Sequence, residues 1–229
     1  MEFRLLYEGE IKPSGGSNTR SPEKHEIRRA FHPQLRRLWF TNQGATRYAE
    51  NVGRGVYGEE IQTQKIENPS TLSTEEALQK AFSYMGKKWS VGGYECVPLV
   101  TEKWAMRCSI DILLLRPEED RFIFTQGDID GQVKTLFDAL RVPKPGEGGK
   151  ATPKPDETPF FCLLEDDRLI SEVRVTADQL LLLPRSKTVT ANDAFAVITV
   201  RLDQRQFDIF DDYLTVWRGA DVLGYYRDE

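Results

Sequence analysis

The sequence is poor in the residues that build disulfide frameworks and zinc clusters. Its 229 residues include three cysteines and two histidines. Cys96, Cys108 and Cys162 are odd in number and widely spaced, which argues against a disulfide framework and a two-plus-two zinc motif. We expect them to be buried thiols in a reducing cytoplasm. His25 and His32 flank basic residues without metal-ligand spacing, so we expect them at the surface or at helix caps.

The chain also lacks long apolar runs and an excess of positive charge. No stretch approaches the length of a membrane span, and no basic segment precedes an apolar one near the start, so we expect a cytoplasmic protein. The formal net charge is -5, which argues against a general DNA-coating role because phosphate binding requires a basic face. A hydrophobic content of 39% and this length favour one main folded domain.

Hydrophobic periodicity predicts an α+β fold with a mixed sheet flanked by helices. Strands are expected at residues 1–8, 104–116, 160–164, 169–176 and 194–202, with a further strand in the run RFIFTQ. The segment 104–116 has the clearest alternation and should be central in the sheet. Helices are expected at 21–39, interrupted at His32-Pro33, and at 73–86, behind a capping box that begins at Ser73.

Three further segments have less regular patterns. The Gly-rich passage 42–60 is expected to be a hairpin or a mobile loop. Residues 143–159 contain five prolines and almost no apolar residue, which predicts a long exposed and mobile loop. Residues 203–229 should form a C-terminal helical extension that caps the core or binds a partner. Its predicted apolar face consists of Phe207, Phe210, Leu214 and Trp217.

The most basic segment lies within the first predicted helix. In one interpretation it is a solvated helix face opposite Ile27, Phe31, Leu35 and Leu38, which turn inward. In the other, it contacts nucleic-acid phosphates, because an acidic site elsewhere would need a basic neighbour to hold a polyanion. The residues assigned to that role are Arg28, Arg29, Arg36 and Arg37. Both interpretations remain open.

Two carboxylates, Asp128 and Asp130, stand at the end of a β-rich segment and the start of a helix. In an extended stretch such side chains share one face. Asp130 is placed as an N-cap, ahead of an inward helical face. That face consists of Val133, Leu136, Phe137 and Leu140. Lys134 lies one turn beyond Asp130, where its ammonium can reach the space in front of the aspartates.

A third acidic source, Glu165-Asp166-Asp167, follows the apolar run FFCLL. Hard cations such as Mg²⁺ take one or two carboxylates, waters and substrate phosphate oxygens as ligands. Together these residues suggest a metal-assisted phosphodiesterase, with Lys134 offsetting charge that develops on phosphate. In the alternative interpretation Asp130 is only a helix cap, and Lys134 and Asp138 form a solvated ion pair.

The run from Asp128 to Leu140, DIDGQVKTLFDAL, followed by a strand and the run EDDRLI, resembles the signature of RusA-type Holliday-junction resolvases. The order of the aspartates, the lysine and the final Asp-Asp pair agrees with that signature. The resemblance implies a small α+β fold, a homodimer and cleavage of four-way DNA junctions with Mg²⁺ or Mn²⁺, as in DNA recombination and repair. It also implies Asp128, Asp130 and Asp167 as metal ligands and Lys134 as the catalytic cation.

On this resemblance, residues 1–202 form the RusA-like domain with 143–159 as an inserted loop. Gly131 stands where members of the family commonly carry Asn, and the basic run that precedes the motif in the family is replaced by RFIFTQ. Gly131 and the added acidic extension motivate one alternative to the nuclease hypothesis, and the acidic surface motivates another. One is a catalytically silent scaffold that binds DNA or protein, and the other is a metal-dependent phosphohydrolase for nucleotides.

Overall fold

A computed structural model describes residues 1–14, 21–55, 72–117, 129–147, 152–181 and 192–204. The described helices are α1 (Ser21–Thr41), α2 (Gln43–Gly53), α3 (Thr74–Lys88) and α4 (Ile129–Leu140). The described strands are β1 (Glu2–Glu10), β2 (Ser90–Val91), β3 (Tyr94–Val100), β4 (Met106–Arg116), β5 (Phe160–Leu164), β6 (Ile170–Gln179) and β7 (Asp193–Gln204). The predicted strand RFIFTQ, the C-terminal helix and Asp128 lie outside the described residues.

The strands form two mixed sheets, and the fold class is α+β. The larger sheet has the order β1-β7-β4-β6, in which β7 pairs antiparallel with β1 and β4, and β4 pairs parallel with β6. The smaller sheet has the order β2-β3-β5, with β3 and β5 parallel. Because β1 and β7 are neighbours, residues near both ends of the described chain belong to one sheet.

The strand predictions are confirmed where they fall on described residues. β4 is central between β7 and β6, and its core face consists of Met106, Cys108, Ile110, Ile112 and Leu114. In β1, Leu5 is buried and its flanking alternate residues Phe3 and Tyr7 pack partly against the core. No helix in the described ranges is long and apolar enough to cross a membrane.

All three cysteines are free and buried, as the sequence predicts. Cys108 lies on the core face of β4, where burial raises the pKa of its thiol to about 12. A thiol with such a pKa stays protonated at neutral pH and is a poor nucleophile. The side chains of all three cysteines are therefore part of the core.

Two helix predictions are wrong. The first predicted helix is not interrupted, since α1 continues through Pro33 to Thr41. Pro33 is exposed, so water can replace the backbone hydrogen bond that proline removes. The passage from Gln43 to Gly53, expected to be a hairpin or loop, is helix α2. Its N-cap is Asn42, whose side chain accepts a hydrogen bond of 3.1 Å from the Ala45 amide.

Gly53 allows α2 to pack closely against α3. A Cβ atom at Gly53 would lie 1.8 Å from the carbonyl oxygen of Ala77 in α3. Glycine is therefore needed for the close approach of α2 and α3, and this requirement is invisible in the isolated sequence. α2 also buries Ala45, Tyr48 and Val52 at helical spacing.

The prediction that residues 143–159 form a wholly exposed loop is also wrong for its described part. Glu147 and Glu157 are buried, at 5% and 4% exposure. Both carboxylates accept hydrogen bonds from arginines of the surrounding elements. From the sequence, the charged residues of this proline-rich segment were expected to be exposed to solvent. In the structure Glu147 and Glu157 are instead buried beside the arginines that neutralise them.

Removal of the Ser73 cap should destabilise α3. Its hydroxyl accepts from the Glu76 amide at 3.3 Å, while the Glu76 carboxylate accepts from the Ser73 amide at 2.9 Å, which confirms the predicted capping box. We expect Ser73→Ala to lower the free energy of unfolding by about 1 kcal/mol. Urea denaturation measures this, with the exposed mid-helix substitution Ser83→Ala as the control. Equal stabilities of the two variants would contradict a role for the cap.

Candidate functional site

The amino end of α4 carries the first half of the predicted site. α4 begins at Ile129, so Asp130 lies within the first turn and is not the N-cap that the sequence predicted. In the first turn a carboxylate interacts favourably with the positive end of the helix dipole. Asp128 precedes the helix and lies outside the described residues. The inward face of α4 is confirmed, since Leu136 and Leu140 are buried and Val133 and Phe137 pack partly against the core.

Polar side chains fix this end of α4 to the segment that follows β1. The Gln132 side-chain amide donates to the Ile11 carbonyl at 2.8 Å, and the Thr135 hydroxyl donates to the Lys12 carbonyl at 2.9 Å. The Ser14 amide donates to the Gly131 carbonyl at 2.9 Å. These bonds place the first turn of α4 at the end of the larger sheet where β1 finishes.

Asp130 and Lys134 lie one turn apart and are both exposed. Neither forms an ion pair with another described residue. In contrast, Lys12 nearby is paired with Glu10 at 3.0 Å. Because the described contacts of the fold use neither Asp130 nor Lys134, both remain available for a ligand.

The carboxyl half of α4 is different, because Asp138 is buried within a network of charges. Its two carboxylate oxygens lie 2.6 Å from Lys24 Nζ of α1 and 2.6 Å from Arg141 Nη2. The solvated Lys134–Asp138 pair considered from the sequence is therefore wrong, since Asp138 takes its partners from the interior. Of the polar residues in this helix, Asp138 is structural while Asp130 and Lys134 face solvent.

Glu147 extends the network beyond the helix. Its carboxylate accepts hydrogen bonds from both terminal nitrogens of Arg141, at 2.8 and 2.9 Å, and one from the Lys144 amide at 3.0 Å. The Ser21 hydroxyl donates to the Glu147 carbonyl. The network of Lys24, Arg28, Asp138, Arg141 and Glu147 therefore ties the start of α1 and the segment after α4 to the end of α4.

The charged state of the two carboxylates depends on these donors. Burial alone would raise the pKa of Asp138, but hydrogen bonds from Lys24 and Arg141 and the charges of both bases outweigh it, and the pKa is lowered. Burial likewise opposes ionisation of Glu147, and the hydrogen bond from Arg141 and the one from the Lys144 amide lower its pKa. Both groups therefore stabilise the fold as anions.

Two of the four arginines assigned to phosphate contacts are exposed, and the other two make contacts within the fold. Arg28 is 1% exposed and donates to the carbonyls of Arg141 and Asp138, so its guanidinium is a structural group and the phosphate role does not fit it. Arg29 is paired with Glu157 at 2.8 Å and Glu26 at 3.0 Å. The remaining two are exposed: Arg36 and Arg37. The inward face of α1 is confirmed by the burial of Ile27, Phe31, Leu35 and, in part, Leu38.

The second half of the predicted site follows β5. Asp167 begins a 3-10 turn, and its carboxylate is partly exposed and 3.9 Å from Arg141 Nε. The neighbouring Asp166 accepts from the Arg168 amide at 3.1 Å, and Glu165 accepts from the Glu102 amide at 2.9 Å. An open groove of about 490 Å³ lies beside this turn. Its lining residues are Glu102, Ala105, Met106, Arg107, Arg168 and Leu169.

The structure does not bring Asp130 and Asp167 together. Asp167 lies beside Arg141, immediately after the carboxyl end of α4, whereas Asp130 is in its first turn. The ends of a 12-residue helix are about 18 Å apart, so Asp130 and Asp167 lie beside opposite ends of α4. Among the described residues no three His, Cys, Asp or Glu side chains form a group that could hold a metal. The complete three-aspartate set includes Asp128 and stays a prediction.

Both histidines are buried, at 3% and 4% exposure, and the expectation of surface or capping groups is wrong. His32 Nδ1 accepts from the Phe161 amide at 2.9 Å, its Nε2 lies 3.0 Å from the Asp156 carbonyl, and its ring stacks on Phe160. His25 Nε2 lies 3.0 Å from the Tyr94 hydroxyl. Burial, reinforced by Arg29 and Arg28, lowers the pKa of His25 to about 4. Both rings join α1 to the smaller sheet.

Comparison of the chain with protein-family models, curated proteins and solved structures finds no match in any of the three. The resemblance to the resolvase signature therefore stays a prediction from the residues of the two motifs.

Loss of the Asp138 carboxylate should destabilise the protein strongly. Asp138→Ala leaves Lys24 with an unpaired buried charge and removes one of the two carboxylates that Arg141 contacts, and removal of one partner of a buried pair costs about 3 kcal/mol. The control is Arg4→Ala, which removes a pair with Glu2 at the surface and should cost less than about 1 kcal/mol. Urea denaturation compares the two, and a loss of similar size in both would refute the structural role of the network.

Acidification should destabilise the fold before the carboxylates titrate. His25 has a pKa near 6.5 when unfolded and about 4 when folded, so the unfolded chain binds the proton first and stability falls as the pH drops from 6.5 towards 4. The stability that Asp138 and Glu147 contribute is complete above about pH 4.5 and is lost below it. Unfolding at about pH 7.5 and about pH 5 should show a smaller difference in His25→Gln than in the parent chain. Identical differences would exclude His25 as a source of the pH dependence.

Proposed function

We propose that this chain is a Mg²⁺- or Mn²⁺-dependent endodeoxyribonuclease that cuts branched DNA and works from the amino end of α4. The observation that carries the proposal is the division of one helix into two halves. Asp138 and the residues beside it make buried contacts within the fold. Asp130 and Lys134 are exposed and have no ion-pair partner among the described residues. Charged residues that make no stabilising contact within the fold are free to bind a ligand and to take part in chemistry.

The exposed residues suit a small metal site. Mg²⁺ is commonly held by one or two carboxylates and keeps several waters, so Asp130 with the neighbouring Asp128 is a sufficient protein ligand set. When bound, such a cation polarises the scissile phosphate and activates a coordinated water. Lys134 lies on the same side of the helix and would stabilise negative charge that develops on the phosphate oxygens. In a RusA-like arrangement Asp167 would be the third ligand, but one chain does not bring it to Asp130.

Exposed arginines offer contacts for the rest of the DNA. Arg36 and Arg37 lie on the carboxyl half of α1, 12 and 13 positions after Lys24, which is bound to Asp138. They would hold phosphates at a distance from the bond that is cut, and such contacts give affinity without sequence preference. The acidic net charge of the chain confines any DNA-binding surface to local patches of this kind.

The second candidate is a catalytically silent scaffold with the same fold. The separation of Asp130 from Asp167 favours it, because a protein that has lost catalysis has no need to keep its carboxylates together. In this alternative α1 or the exposed residues of α4 would hold a DNA or protein partner, and metal would have no role.

Substitution of Asp130 tests the proposal. With Mg²⁺ and a synthetic four-way DNA junction, Asp130→Asn should reduce the cleavage rate by at least about 100-fold, because the amide is a poor ligand for a hard cation. Glu75→Gln is the matched control, since Glu75 is also an exposed acidic residue in the first turn of a helix. It should cleave at the parent rate, and both variants should lose a similar small amount of stability, because each removes a carboxylate from the first turn of a helix.

The pattern of substrates and binding decides between the candidates. Metal-dependent cleavage of the junction by the parent chain and Glu75→Gln, but not by Asp130→Asn, supports the nuclease. Junction binding without cleavage at any Mg²⁺ or Mn²⁺ concentration overturns it in favour of the scaffold. Hydrolysis of nucleotides with no action on DNA also contradicts it and identifies a nucleotide phosphohydrolase.

A further inference from the structure

The groove beside the turn that follows β5 is a shaped feature of the fold. Its volume of about 490 Å³ lies in the range of about 300–1,000 Å³ that is usual for ligand sites. One side is the turn between β3 and β4, where Ala105 has a φ of 49°, a conformation that non-glycine residues seldom adopt. The Ala105 amide donates to the Glu102 carbonyl at 2.9 Å, and the Glu102 amide donates to the Glu165 carboxylate at 2.9 Å. Contacts with the neighbouring segment therefore hold this side of the groove in a strained shape.

The groove has an apolar part and a positively charged part. Its apolar lining residues are Ala105, Met106 and Leu169, and its charged ones are Glu102, Arg107 and Arg168. Glu102 neutralises Arg168 through an ion pair. Arg107 is exposed and has no ion-pair partner among the described residues. The groove therefore suits a segment that carries apolar side chains next to a negative charge.

Strand β7 ends beside this groove. Its last residue, Gln204, pairs with Met106 of β4, and β4 lies between β7 and β6. The groove is at the same end of the sheet, because Met106 begins β4 and Leu169 directly precedes β6. Neighbouring strands are about 4.8 Å apart, so β6 lies about 10 Å from β7. Three residues of extended chain span about 10 Å, so Phe207 can reach the groove.

Of the stretches outside the described residues, two others adjoin the larger sheet, and both are joined to it at its opposite end. Residues 118–128 come after β4, and residues 182–191 come before β7. The last residue of β4 and the first residue of β7 are far from the pair that Met106 forms with Gln204. Next to the larger sheet, residues 205–229 are therefore the stretch that starts at the end with the groove.

The residues that follow β7 have the complementary composition. Residues 205–212 read RQFDIFDD, with two phenylalanines and with three aspartates against one arginine. We propose that the groove binds this segment of the same chain, with Phe207 against the apolar lining and Asp208 beside Arg107. Because the segment is tethered next to the groove, its effective concentration is in the millimolar range, so contacts too weak to hold a separate partner suffice.

This docking gives the C-terminal extension a role within its own chain. The groove adjoins the turn that begins at Asp167. A docked segment with three aspartates repels nucleic-acid phosphates from that turn, and this consequence alone rests on the proposed nuclease function. The docking itself uses neither Asp130, Lys134 nor a metal ion, so a failure of the docking and a failure of the nuclease proposal are separate results.

The reactivity of a thiol placed in the groove tests the docking. Ala105→Cys adds one sulfur atom to a partly exposed lining residue, and the native cysteines are buried. In the full chain, Phe207→Ala should raise the rate at which this thiol reacts with iodoacetamide at least about 10-fold, because loss of a buried phenylalanine weakens docking by that factor or more. Tyr226→Ala, at a later aromatic residue that the docking does not use, should leave the rate unchanged. Phe207→Ala should also have no effect when the thiol is introduced by Ala177→Cys, at a partly exposed alanine near the far end of β6.

Charge reversal provides a second measurement. Arg107→Glu places a negative charge beside the aspartates and should raise the same rate about 3-fold or more, although a carboxylate near the thiol by itself slows its reaction. Asp208→Arg in the same chain should restore the parent rate. Arg174→Glu, at an exposed arginine of β6 outside the groove, is the control and should have no effect.

A synthetic peptide of residues 205–217 identifies the occupant. At about 1 mM it should protect the thiol again in the Phe207→Ala chain, and the same peptide with alanine at position 207 should not. The parent rate should be equal at about 1 and about 100 µM protein, because docking within one chain does not depend on concentration. Protection that appears only at the higher concentration would assign the groove to a second copy and overturn the proposal. Equal rates in the parent and Phe207→Ala chains, or no protection by the peptide, would overturn it as well.

Discussion

The buried charge network around Asp138 is the constraint on which the arrangement of this protein depends. It joins α1, the end of α4 and the segment after α4 through Lys24, Arg141 and Glu147, all with little exposure to water. Such a network is stabilising only when every charge has a partner, so the positions of the three segments are coupled. It fixes the carboxyl end of α4, while hydrogen bonds from Gln132 and Thr135 fix its amino end.

This constraint separates residues that resemble one another in the sequence. Asp130 and Asp138 lie on one helix, yet Asp138 is an internal counter-ion and Asp130 faces solvent. Arg28 and Arg36 belong to one basic segment, yet Arg28 is buried and bound to backbone carbonyls. The chemistry we propose uses only the solvent-facing member of each pair.

Local patterns in the sequence predict most of this fold, and long-range pairings account for what they miss. Strict alternation identifies β4, and the capping box identifies the start of α3. The sequence did not predict helix α2, because its glycines suggested a turn. In the structure Gly53 is required by the close contact of α2 with another helix. The burial of His25 and Glu147 depends on partners many residues away. Spacing along the chain suggested that Asp130 and Asp167 meet, whereas the structure places them beside opposite ends of α4.

The central claim is that the amino end of α4 binds a divalent cation. Addition of substoichiometric Mn²⁺ to isotopically labelled protein tests it directly, because the paramagnetic ion broadens the NMR signals of nearby amides. The account predicts the strongest broadening at Gly131 and its neighbours in the first turn of α4, and its loss in Asp130→Asn. Broadening centred on the groove beside Arg168, or an unchanged spectrum at millimolar Mn²⁺, would contradict the claim.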